Sequence, residues 1–374
     1  MGTSKSEDAM RIAVLWTGMT GYLNACLRAL SNFDGVELFV CYEQPEAVAP
    51  FDASEFDWIP DVLKWRGLPD KDLLLRKLEA FSPDVILGAA YHVAPYRAVA
   101  RHFAKRALRV YCTDNQWRGT FKQWIGVATS PWFARALYDG VFVAGERQAL
   151  WAHRMGFHDD QIWHGLYSCD HARFSEVHNT RAQREPLRSF LSVSRLSAEK
   201  GIDILVRAYT SYREHGGRWP LVIAGTGPLA SLAEGREGIS LKGFVQPAAL
   251  PELFAAAGAL VVSSTYEPWA LVIHEAAAAG VPVICTRECG ASVHLVRDGY
   301  SGYLVETGNA GSLSSAMTRL SGLPDARRAA MGEASYSLSL QFTPQRWAEY
   351  VYEKSLELAA ERLPTLFAAV RNYE

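Results

Sequence analysis

The sequence predicts an α/β protein with two doubly wound, parallel-sheet domains, and three observations support this prediction. The chain has 374 residues, more than a single hydrophobic core usually holds. Short, continuously apolar runs alternate with helix-like stretches, as expected for parallel strands that helices cover on both faces. A polar, charged segment at 176–188, EVHNTRAQREPLR, interrupts this alternation and is predicted to link the domains.

Each half of the chain supplies five predicted strands, rich in Val, Ile and Leu, with helices between them. The first-half strands are 11–16, 37–42, 84–90, 108–113 and 140–145, and the helices are 21–30, 71–81, 93–108 and 146–157. The second-half strands are 189–194, 220–225, 239–244, 259–264 and 281–286. Helices are predicted after Gly201, in PAALPELFAAAG, after Pro268 and in SLSSAMTRLSGL, and a long helix at 344–370 is broken near Pro364.

The composition is that of a soluble globular protein, with 49% apolar and 21% charged residues. A net charge of −2 argues against a general nucleic-acid-binding protein. The six cysteines show no paired spacing, so we expect reduced thiols and a cytoplasmic location. The polar start MGTSKSEDAM does not fit a signal peptide, and polar residues interrupt the longest apolar stretch, so we expect no membrane span.

The stretch STYEPWALVIHEAAAAG at 264–280 places Glu267 and Glu275 eight positions apart, a spacing that does not pair them on one helical face. Because Pro268 is tolerated in the first turn of a helix but not in its interior, a helix is predicted to start near Trp269. Glu267 then lies in the preceding loop. The unpaired N–H groups at the helix start suit an anion, so the pattern predicts an anion site between two carboxylates.

Other loops that follow strands carry cations and glycines, and ligands of doubly wound sheets bind at this edge. Arg195 and Lys200 follow the strand at 189–194. Two fixed cations beside a helix start suit a diphosphate, although surface solvation is the alternative for either one alone. Gly225 and Gly227 follow the next strand and leave room for a ligand against the backbone.

The first predicted strand is followed by the glycine-rich turn WTGMTG, in which Gly18 and Gly21 open a helix. The spacing is not G-x-G-x-x-G, and Cys41 and Tyr42 stand where a dinucleotide site has its ribose-binding acid, which weakens a nicotinamide interpretation. The turn either lets a substrate approach the backbone or is a plain tight turn.

Polar and aromatic residues also follow two first-half strands. His92 comes after the strand at 84–90, and TDNQWRGTFKQW, with Asp114 and Lys122, follows the strand at 108–113. His92 and Asp114 are candidates for substrate contact, with an ordinary exposed or hydrogen-bonded side chain as the alternative. The rings and cations of the second segment suit a membrane surface or a sugar, but a helix packed against the core explains them equally well.

Four segments in this order resemble the C-terminal domain of family 4 retaining glycosyltransferases: FLSVSRLSAEKGIDILVRAY, LVIAGTGPL, LKGFVQPAALPELFAAAGALVVSSTYEPWALVIHEAAAAGVPVICT and DGYSGYLVETGNAGSL. Glu267 and Glu275 match that family's E-x7-E motif. The resemblance is strong over 189–320 and weaker in the first half. It implies the GT-B fold, in which two Rossmann-like domains face a cleft. We therefore expect an acceptor-binding domain at 1–178, a donor-binding domain at 179–343 and a helical segment at 344–374 that returns to the first domain.

The resemblance also implies roles for individual residues. Arg195 and Lys200 would neutralise the diphosphate of a nucleotide-sugar donor. Glu275 would accept hydrogen bonds from both ribose hydroxyls, and Glu267 would hold hydroxyls of the transferred sugar. The family often has a histidine in the first domain that contacts the sugar or acceptor, and His92 is the candidate here.

Backbone N–H groups around Ala270 and Leu271 would meet the phosphates. The family usually has glycine at the position of Ala270, and E-G-F-G where this chain has EPWA. We expect Pro268 and Trp269 to reshape the sugar pocket, so the identity of the sugar does not carry over from the family.

The resemblance predicts a retaining glycosyltransferase that moves a sugar from a UDP- or GDP-sugar to a hydroxyl of a glycan, lipid-linked or small-molecule acceptor. No metal or other cofactor is expected: Asp70-Lys71-Asp72 fits a metal-binding D-x-D, but its acids stand where a helix opens. The alternatives are a nucleotide-sugar epimerase, a phosphorylase, or a noncatalytic nucleotide-sugar-binding protein on the same fold. Peripheral contact with a membrane is a further expectation.

Overall fold

The computed structural model describes residues 9–44, 53–181 and 187–362. Within these residues the strands are β1 Met10–Trp16, β2 Val36–Glu43, β3 Asp61–Trp65, β4 Val85–Gly88, β5 Leu108–Thr113, β6 Gly140–Val143, β7 Ile162–His164, β8 Phe190–Val193, β9 Leu221–Ala224, β10 Ile239–Leu241, β11 Ala259–Val262, β12 Val283–Thr286 and β13 Gly302–Val305. The helices are α1 Gly21–Ser31, α2 Lys71–Phe81, α3 Ala94–His102, α4 Phe121–Thr129, α5 Ala134–Leu137, α6 Glu146–Arg154, α7 His171–Arg181, α8 Ile202–Glu214, α9 Leu250–Ala256, α10 Leu271–Ala278, α11 Ser292–Leu295, α12 Ala310–Ser321, α13 Asp325–Ser339 and α14 Pro344–Arg362.

The chain divides into two compact units, Met1–Ser168 with Pro344–Glu374, and Cys169–Thr343. The first unit contains a seven-stranded sheet in the order β3-β2-β1-β4-β5-β6-β7. The second contains a six-stranded sheet in the order β10-β9-β8-β11-β12-β13. The paired strands of both sheets run parallel. In each sheet the strand order reverses beside the unit's first strand, which is the doubly wound arrangement that the sequence predicts.

Helices cover both faces of each sheet, and this explains the continuous apolar runs in the sequence. Every residue of β4, β5, β6, β11 and β12 is buried. The buried charge on β5, Arg109, has a partner, since its guanidinium lies 2.8 Å from a carboxylate oxygen of Asp139. Helix α14 packs on α1, and its Trp347 donates a hydrogen bond to the carbonyl of Leu166, so it belongs to the first unit.

The structure corrects three predicted segments. Residues 176–181, predicted as part of a linker, form the end of α7, in which Phe174 and Val177 are buried. The division between the two units falls before α7, whereas the sequence places the boundary after residue 178. Helix α3 ends at His102 and does not continue to residue 108, because the following turn places Lys105 in the left-handed region with φ 63°. The strand predicted at 239–244 ends at Leu241.

Three strands were not predicted, because each lacks the signal of a long apolar run. Strand β3 carries Asp61 and Lys64, β7 has three residues, and β13 begins with Gly302. The break predicted near Pro364 lies outside the described residues. None of the described helices is both long enough and apolar enough to cross a lipid bilayer.

Candidate functional site

The candidate site in the second unit lies at the point where its strand order reverses. Strand β8 pairs with both β9 and β11, and the predicted cations, glycines and acids follow these three strands at their carboxyl ends. Ligands of open α/β sheets bind at such a point because adjacent loops diverge there and leave a crevice. The fold therefore brings the loops after β8, β9 and β11 to one edge of the sheet.

Lys200, in the loop after β8, forms an ion pair with Glu267, in the loop after β11. Their side chains are only 16% and 13% exposed. The hydroxyl of Ser264 lies 3.4 Å from the same Glu267 oxygen, and that of Ser263 donates to the Lys200 carbonyl at 2.9 Å. These contacts clamp the two loops together. The sequence predicted that both residues belong to one site but did not predict that they pair with each other.

Arg195 stands apart from this ion pair. Its side chain is 76% exposed, and its guanidinium contacts Glu199 at 3.3 Å. The hydroxyl of Ser197 donates to Glu199 at 2.6 Å, and this hydrogen bond is the main cause that lowers the pKa of Glu199. In the described structure Arg195 is thus a surface cation paired with a neighbour in its own loop.

Glycine is required at Gly225 and Gly227 because backbone carbonyls of the neighbouring loop lie very close to them. Gly225 has φ 140°, and a Cβ atom at this residue would lie 1.8 Å from the carbonyl oxygen of Ser194. A Cβ atom at Gly227 would lie 2.5 Å from the carbonyl oxygen of Leu196. The loop after β9 thus packs directly on the loop after β8. This contact accounts for both glycines, and a role in ligand binding stays a prediction.

Helix α10 begins at Leu271, two residues later than the predicted start near Trp269. Ala270 precedes the helix with φ 72° and ψ 68°, a left-handed conformation that favours glycine. The turn is held in place because the amides of Gly290 and Ala291 donate to the carbonyls of Glu267 and Trp269, at 3.0 and 2.7 Å. Neighbouring backbone therefore enforces the conformation at Ala270. In the first turn of α10 the amide of Ile273 donates to the carbonyl of Ala270 at 2.9 Å, whereas the amides of Leu271 and Val272 have no acceptor within the helix.

Glu275 lies one turn into α10. Its side chain keeps partial contact with solvent, but the surrounding protein displaces enough water to disfavour the charged form. This desolvation raises the pKa of Glu275 from the ordinary 4.5 to about 7. Glu275 is therefore poised to change charge near neutral pH. The preceding residue, His274, is fully buried, and its Nδ1 accepts a hydrogen bond from the amide of Cys169 at 3.3 Å.

The first unit contains a cavity of about 1080 Å³ at the carboxyl ends of β1, β4 and β5. It is lined by Trp16, Thr17, Gly18, Thr20, Tyr22, Ala89, Ala90, Tyr91, His92, Tyr111, Cys112, Thr113, Asp114, Asn115, Lys122, Gln123, Gly126, Thr129, Ser130, Phe133, Ala134, Trp151, Met155, Leu166 and Tyr167. The fold thus gathers Gly18, His92, Asp114 and Lys122 around one cavity. Gly21, in contrast, is the first residue of α1 and does not line it.

Sequence reasoning missed the tyrosines of this cavity. The rings of Tyr22 and Tyr167 meet edge to face, 5.0 Å apart between ring centroids. Burial raises the pKa of Tyr22 to about 12 and that of Tyr167 well above its ordinary value, so both hydroxyls stay protonated and can donate hydrogen bonds. In the sequence each tyrosine is an isolated aromatic residue. Such a residue can line a cavity or pack in a core, and the sequence does not show which.

The acids of the D-x-D sequence form the start of a helix. A carboxylate oxygen of Asp70 accepts hydrogen bonds from the amides of Asp72 and Leu73, both at 2.9 Å, and so caps α2. Across the described ranges, no three His, Cys, Asp or Glu side chains group as they would around a metal ion.

Part of the chain is similar to known glycosyltransferases. Residues 174–338 match the family model of glycosyl transferases group 1. Over 141 residues the chain is 32% identical to an uncharacterized glycosyltransferase of Methanocaldococcus jannaschii, a match that covers 36% of this chain and 35% of that protein. Over 183 residues it is 29% identical to the alpha-D-kanosaminyltransferase of Streptomyces kanamyceticus, covering 43% of this chain and 47% of that protein. The chain thus spans less than half the length of these two relatives.

The fold is also found among solved structures. Anabaena HepE, in complex with UDP and glucose, has a TM-score of 0.72 and 18% sequence identity, over 92% of this chain and 98% of that chain. The predicted architecture of two parallel-sheet, Rossmann-like α/β domains is confirmed. The Lys200–Glu267 pair and α10 lie within residues 174–338, the part of the chain that matches the group 1 model.

Proposed function

We propose that this chain is a retaining glycosyltransferase that moves a sugar from a nucleoside-diphosphate sugar to a hydroxyl group of an acceptor. One observation carries the proposal. Within the segment that matches group 1 glycosyl transferases, the loops at the strand reversal bring together a cation, two carboxylates and a helix start. A UDP- or GDP-sugar presents the matching groups, namely a diphosphate and two sets of sugar hydroxyls. UDP is the first nucleotide to test, since HepE has been solved with UDP and glucose.

The donor would exchange partners with the Lys200–Glu267 ion pair. The diphosphate would take over the Lys200 ammonium, and hydroxyls of the transferred sugar would donate to Glu267. The N–H groups at Ala270 and Leu271 would meet phosphate oxygens at the positive end of α10. The ribose hydroxyls would donate to Glu275 and favour its ionised form. Arg195 would have to leave Glu199 to reach the diphosphate, so its contribution is the smaller of the two cations.

These positions suit the chemistry of glycosyl transfer. When the bond between the anomeric carbon and the phosphate oxygen breaks, negative charge grows on the departing diphosphate and positive charge grows on the sugar ring. Fixed positive groups beside the diphosphate stabilise that state. Retention would follow if the acceptor attacks from the same face and the departing phosphate oxygen takes the acceptor's proton. The scheme needs no metal ion or other cofactor, because Lys200 and the helix start supply the positive charge.

We place the acceptor in the cavity of the first unit. His92 and Asp114 offer polar contacts, and the rings of Tyr22 and Tyr167 offer flat surfaces of the kind that stack on sugars. The acceptor would be a glycan, a lipid-linked or a small-molecule hydroxyl compound. We also propose a cytoplasmic location, where the buried thiols would stay reduced.

The test is to incubate the protein with UDP- and GDP-sugars and a panel of acceptors, and to measure release of the nucleoside diphosphate and formation of the glycoside. We expect release that depends on both substrates and product of the same anomeric configuration. An epimerase would change the sugar without steady release. A noncatalytic binding protein, for which the left-handed Ala270 is the supporting observation, would show a donor-dependent rise in melting temperature but no turnover. Either result would overturn the proposal.

A further inference from the structure

Helix α4 points its large apolar side chains toward solvent and its small and polar side chains toward the protein. Phe121, Trp124 and Ile125 are 81%, 53% and 49% exposed, and no residue of this helix is buried. The side chains on the opposite side, which line the cavity, are Lys122, Gln123, Gly126 and Thr129. A surface helix of a water-soluble protein has the reverse arrangement. Of the alternatives left open by the sequence, packing against the core holds for Trp117, which stacks on the buried Trp151, but not for Phe121.

The apolar surface continues beyond the helix. A 3-10 turn, Ser130–Trp132, follows α4 directly and leaves Trp132 73% exposed and Phe133 48% exposed. Positions 121, 124, 125, 128 and 132 recur at helical spacing, so they share one side of the segment. We call Phe121, Trp124, Ile125 and Trp132 the aromatic face. Single exposed apolar residues need no explanation, but a contiguous group of this size indicates an interaction surface.

The sequence segment that carries the aromatic face contains cations but no acids. From Asn115 to Tyr138 the sequence contains Arg118, Lys122 and Arg135, all exposed, and no Asp or Glu, although the whole chain has a net charge of −2. From the neighbouring α6, Arg154 stacks over the rings of Trp117 and Trp124, 4.5 and 5.9 Å from their centroids.

The nearest acids in the sequence are engaged elsewhere. Asp114 lines the cavity, and Asp139 pairs with Arg109. The aromatic face is therefore bordered by positive charge.

We propose that the aromatic face docks on an anionic lipid bilayer, with its rings in the headgroup region and the flanking cations on lipid phosphates. Trp and Phe beside Lys and Arg are typical of segments that lie in a membrane interface. Each cation near an anionic surface adds attraction. A two-fold contact with a second copy is disfavoured, because it would bring Arg154, which lies over Trp124 of the aromatic face, close to the same cation of the other copy. With the aromatic face on the bilayer, the cavity lies on the opposite side of α4.

Co-sedimentation of the full chain with lipid vesicles tests the proposal without donor or acceptor, so its outcome does not depend on the proposed function. The probes are vesicles of phosphatidylcholine alone and vesicles with about 30% phosphatidylglycerol. We expect binding about tenfold or more tighter to the anionic vesicles, weakening as salt rises, since exposed charges are screened. The double variant Phe121→Ser/Trp132→Ser should lose most of this binding. Leu68→Ser/Tyr300→Ser, which removes residues 64% and 53% exposed elsewhere, is the matched control and should bind as the parent does.

Three results would overturn the proposal. One is equal binding to neutral and anionic vesicles, or none to either. Another is loss of binding in the Leu68→Ser/Tyr300→Ser control as large as in the aromatic-face variant, which would make the effect nonspecific. The third is self-association of the parent chain in light scattering that disappears in Phe121→Ser/Trp132→Ser, since the face would then be covered by a second copy. Unchanged melting temperatures of both variants show that folding is retained.

Discussion

The ammonium of Lys200 and the carboxylate of Glu267 form an ion pair between the loops that follow β8 and β11. Each side chain is less than one-fifth exposed, at 16% and 13%, so salt in solution screens the pair only weakly. In this arrangement each residue holds the other in position and neutralises its charge. In the proposed donor complex the diphosphate takes Lys200 away from Glu267, and Glu267 then needs new hydrogen-bond donors. Sugar hydroxyls supply such donors, and phosphate without a sugar does not.

Lys200→Ala should lower kcat/KM for the donor about 10- to 100-fold, because a hydrogen bond to a charged group contributes about 1.5–3 kcal/mol. Steady-state kinetics with varied donor concentration measures this loss. Lys77→Ala, an exposed lysine of α2 that contacts Asp61 at 3.8 Å, is the control and should leave the kinetics unchanged. The interpretation is wrong if Lys200→Ala retains full activity while its melting temperature stays at the parent value.

Glu275→Gln should increase the stability of the protein above pH 7. Since the pKa of Glu275 is raised from 4.5 to about 7, the folded state holds a proton that the unfolded state releases between these values. The free energy of unfolding contributed by this group therefore falls as pH rises from 4.5 to 7, by an amount of the order of 2–3 kcal/mol. Glutamine is neutral at every pH and avoids this loss.

His274 acts in the opposite direction, so wild-type stability alone does not isolate the effect of Glu275. Burial lowers the pKa of His274 from 6.5 to about 3, and its contribution to the free energy of unfolding rises as pH rises between these values. Both proteins contain His274, so its contribution cancels in the difference between their free energies of unfolding. Urea unfolding at several pH values from 5 to 8 should show a difference in the free energy of unfolding that grows up to about pH 7 and levels off above it. A constant difference would contradict the raised pKa.

Donor affinity should depend on the same titration. Ribose hydroxyls donate hydrogen bonds to the ionised carboxylate, so binding favours loss of the Glu275 proton. Donor Kd should then rise as pH falls below 7, by up to about tenfold for each pH unit. Calorimetric titration with a UDP- or GDP-sugar between pH 6 and 8 measures this slope, which should vanish in Glu275→Gln together with most of the affinity. A wild-type slope that survives in the variant would assign the titration to another group.

Sequence patterns were sufficient for the sheets but not for contacts that depend on neighbouring backbone. Continuous apolar runs predicted strands such as β5 and β11 because helices bury both of their faces. Lys200 and Glu267 each follow the end of a strand, and this predicted that they lie at the same edge of the sheet. The direct pairing of Lys200 with Glu267 depends on how three loops pack. So does the need for glycine at Gly225, where the carbonyl of Ser194 leaves no room for a Cβ atom. These loops are far apart in sequence, so no local pattern reports their contact.

The helix at 121–129 shows a different limit of sequence reasoning. Its rings at helical spacing predict an apolar face, and the same pattern arises whether that face meets the core or solvent. The exposure of Phe121 decides between the two. Among the residues around the cavity behind this helix, the sequence singled out Gly18, His92, Asp114 and Lys122 but not the tyrosines, because these carry no spacing that marks a site.

Asp114→Asn should raise KM for the acceptor about tenfold while leaving donor affinity unchanged, since a hydrogen bond to a charged group is replaced by a weaker neutral one. The change keeps the side-chain volume and so preserves the cavity. His92→Ala should shift acceptor KM in the same direction. Kinetics with acceptor and donor varied separately distinguishes the two substrates. An equal loss in donor affinity would show that these residues do not act on the acceptor alone.

Ala270→Gly should stabilise the protein by about 0.5–1 kcal/mol. A non-glycine residue in the left-handed region costs about 1–2 kcal/mol, and the greater chain entropy of glycine in the unfolded state takes back part of the gain. The backbone of this turn is held by the amides of Gly290 and Ala291, so its N–H groups should keep their positions and transfer activity should be retained.

Ala277→Gly, inside α10, is the matched control and should instead lose about 1 kcal/mol, because glycine is unfavourable within a helix. Thermal unfolding should show a higher melting temperature than the parent for Ala270→Gly and a lower one for Ala277→Gly. Turnover in Ala270→Gly far above that of the parent would indicate that alanine holds the natural chain in a binding form with little catalysis. That result would support the noncatalytic alternative over the transferase, because the donor site would be complete while the turn before α10 limited the reaction.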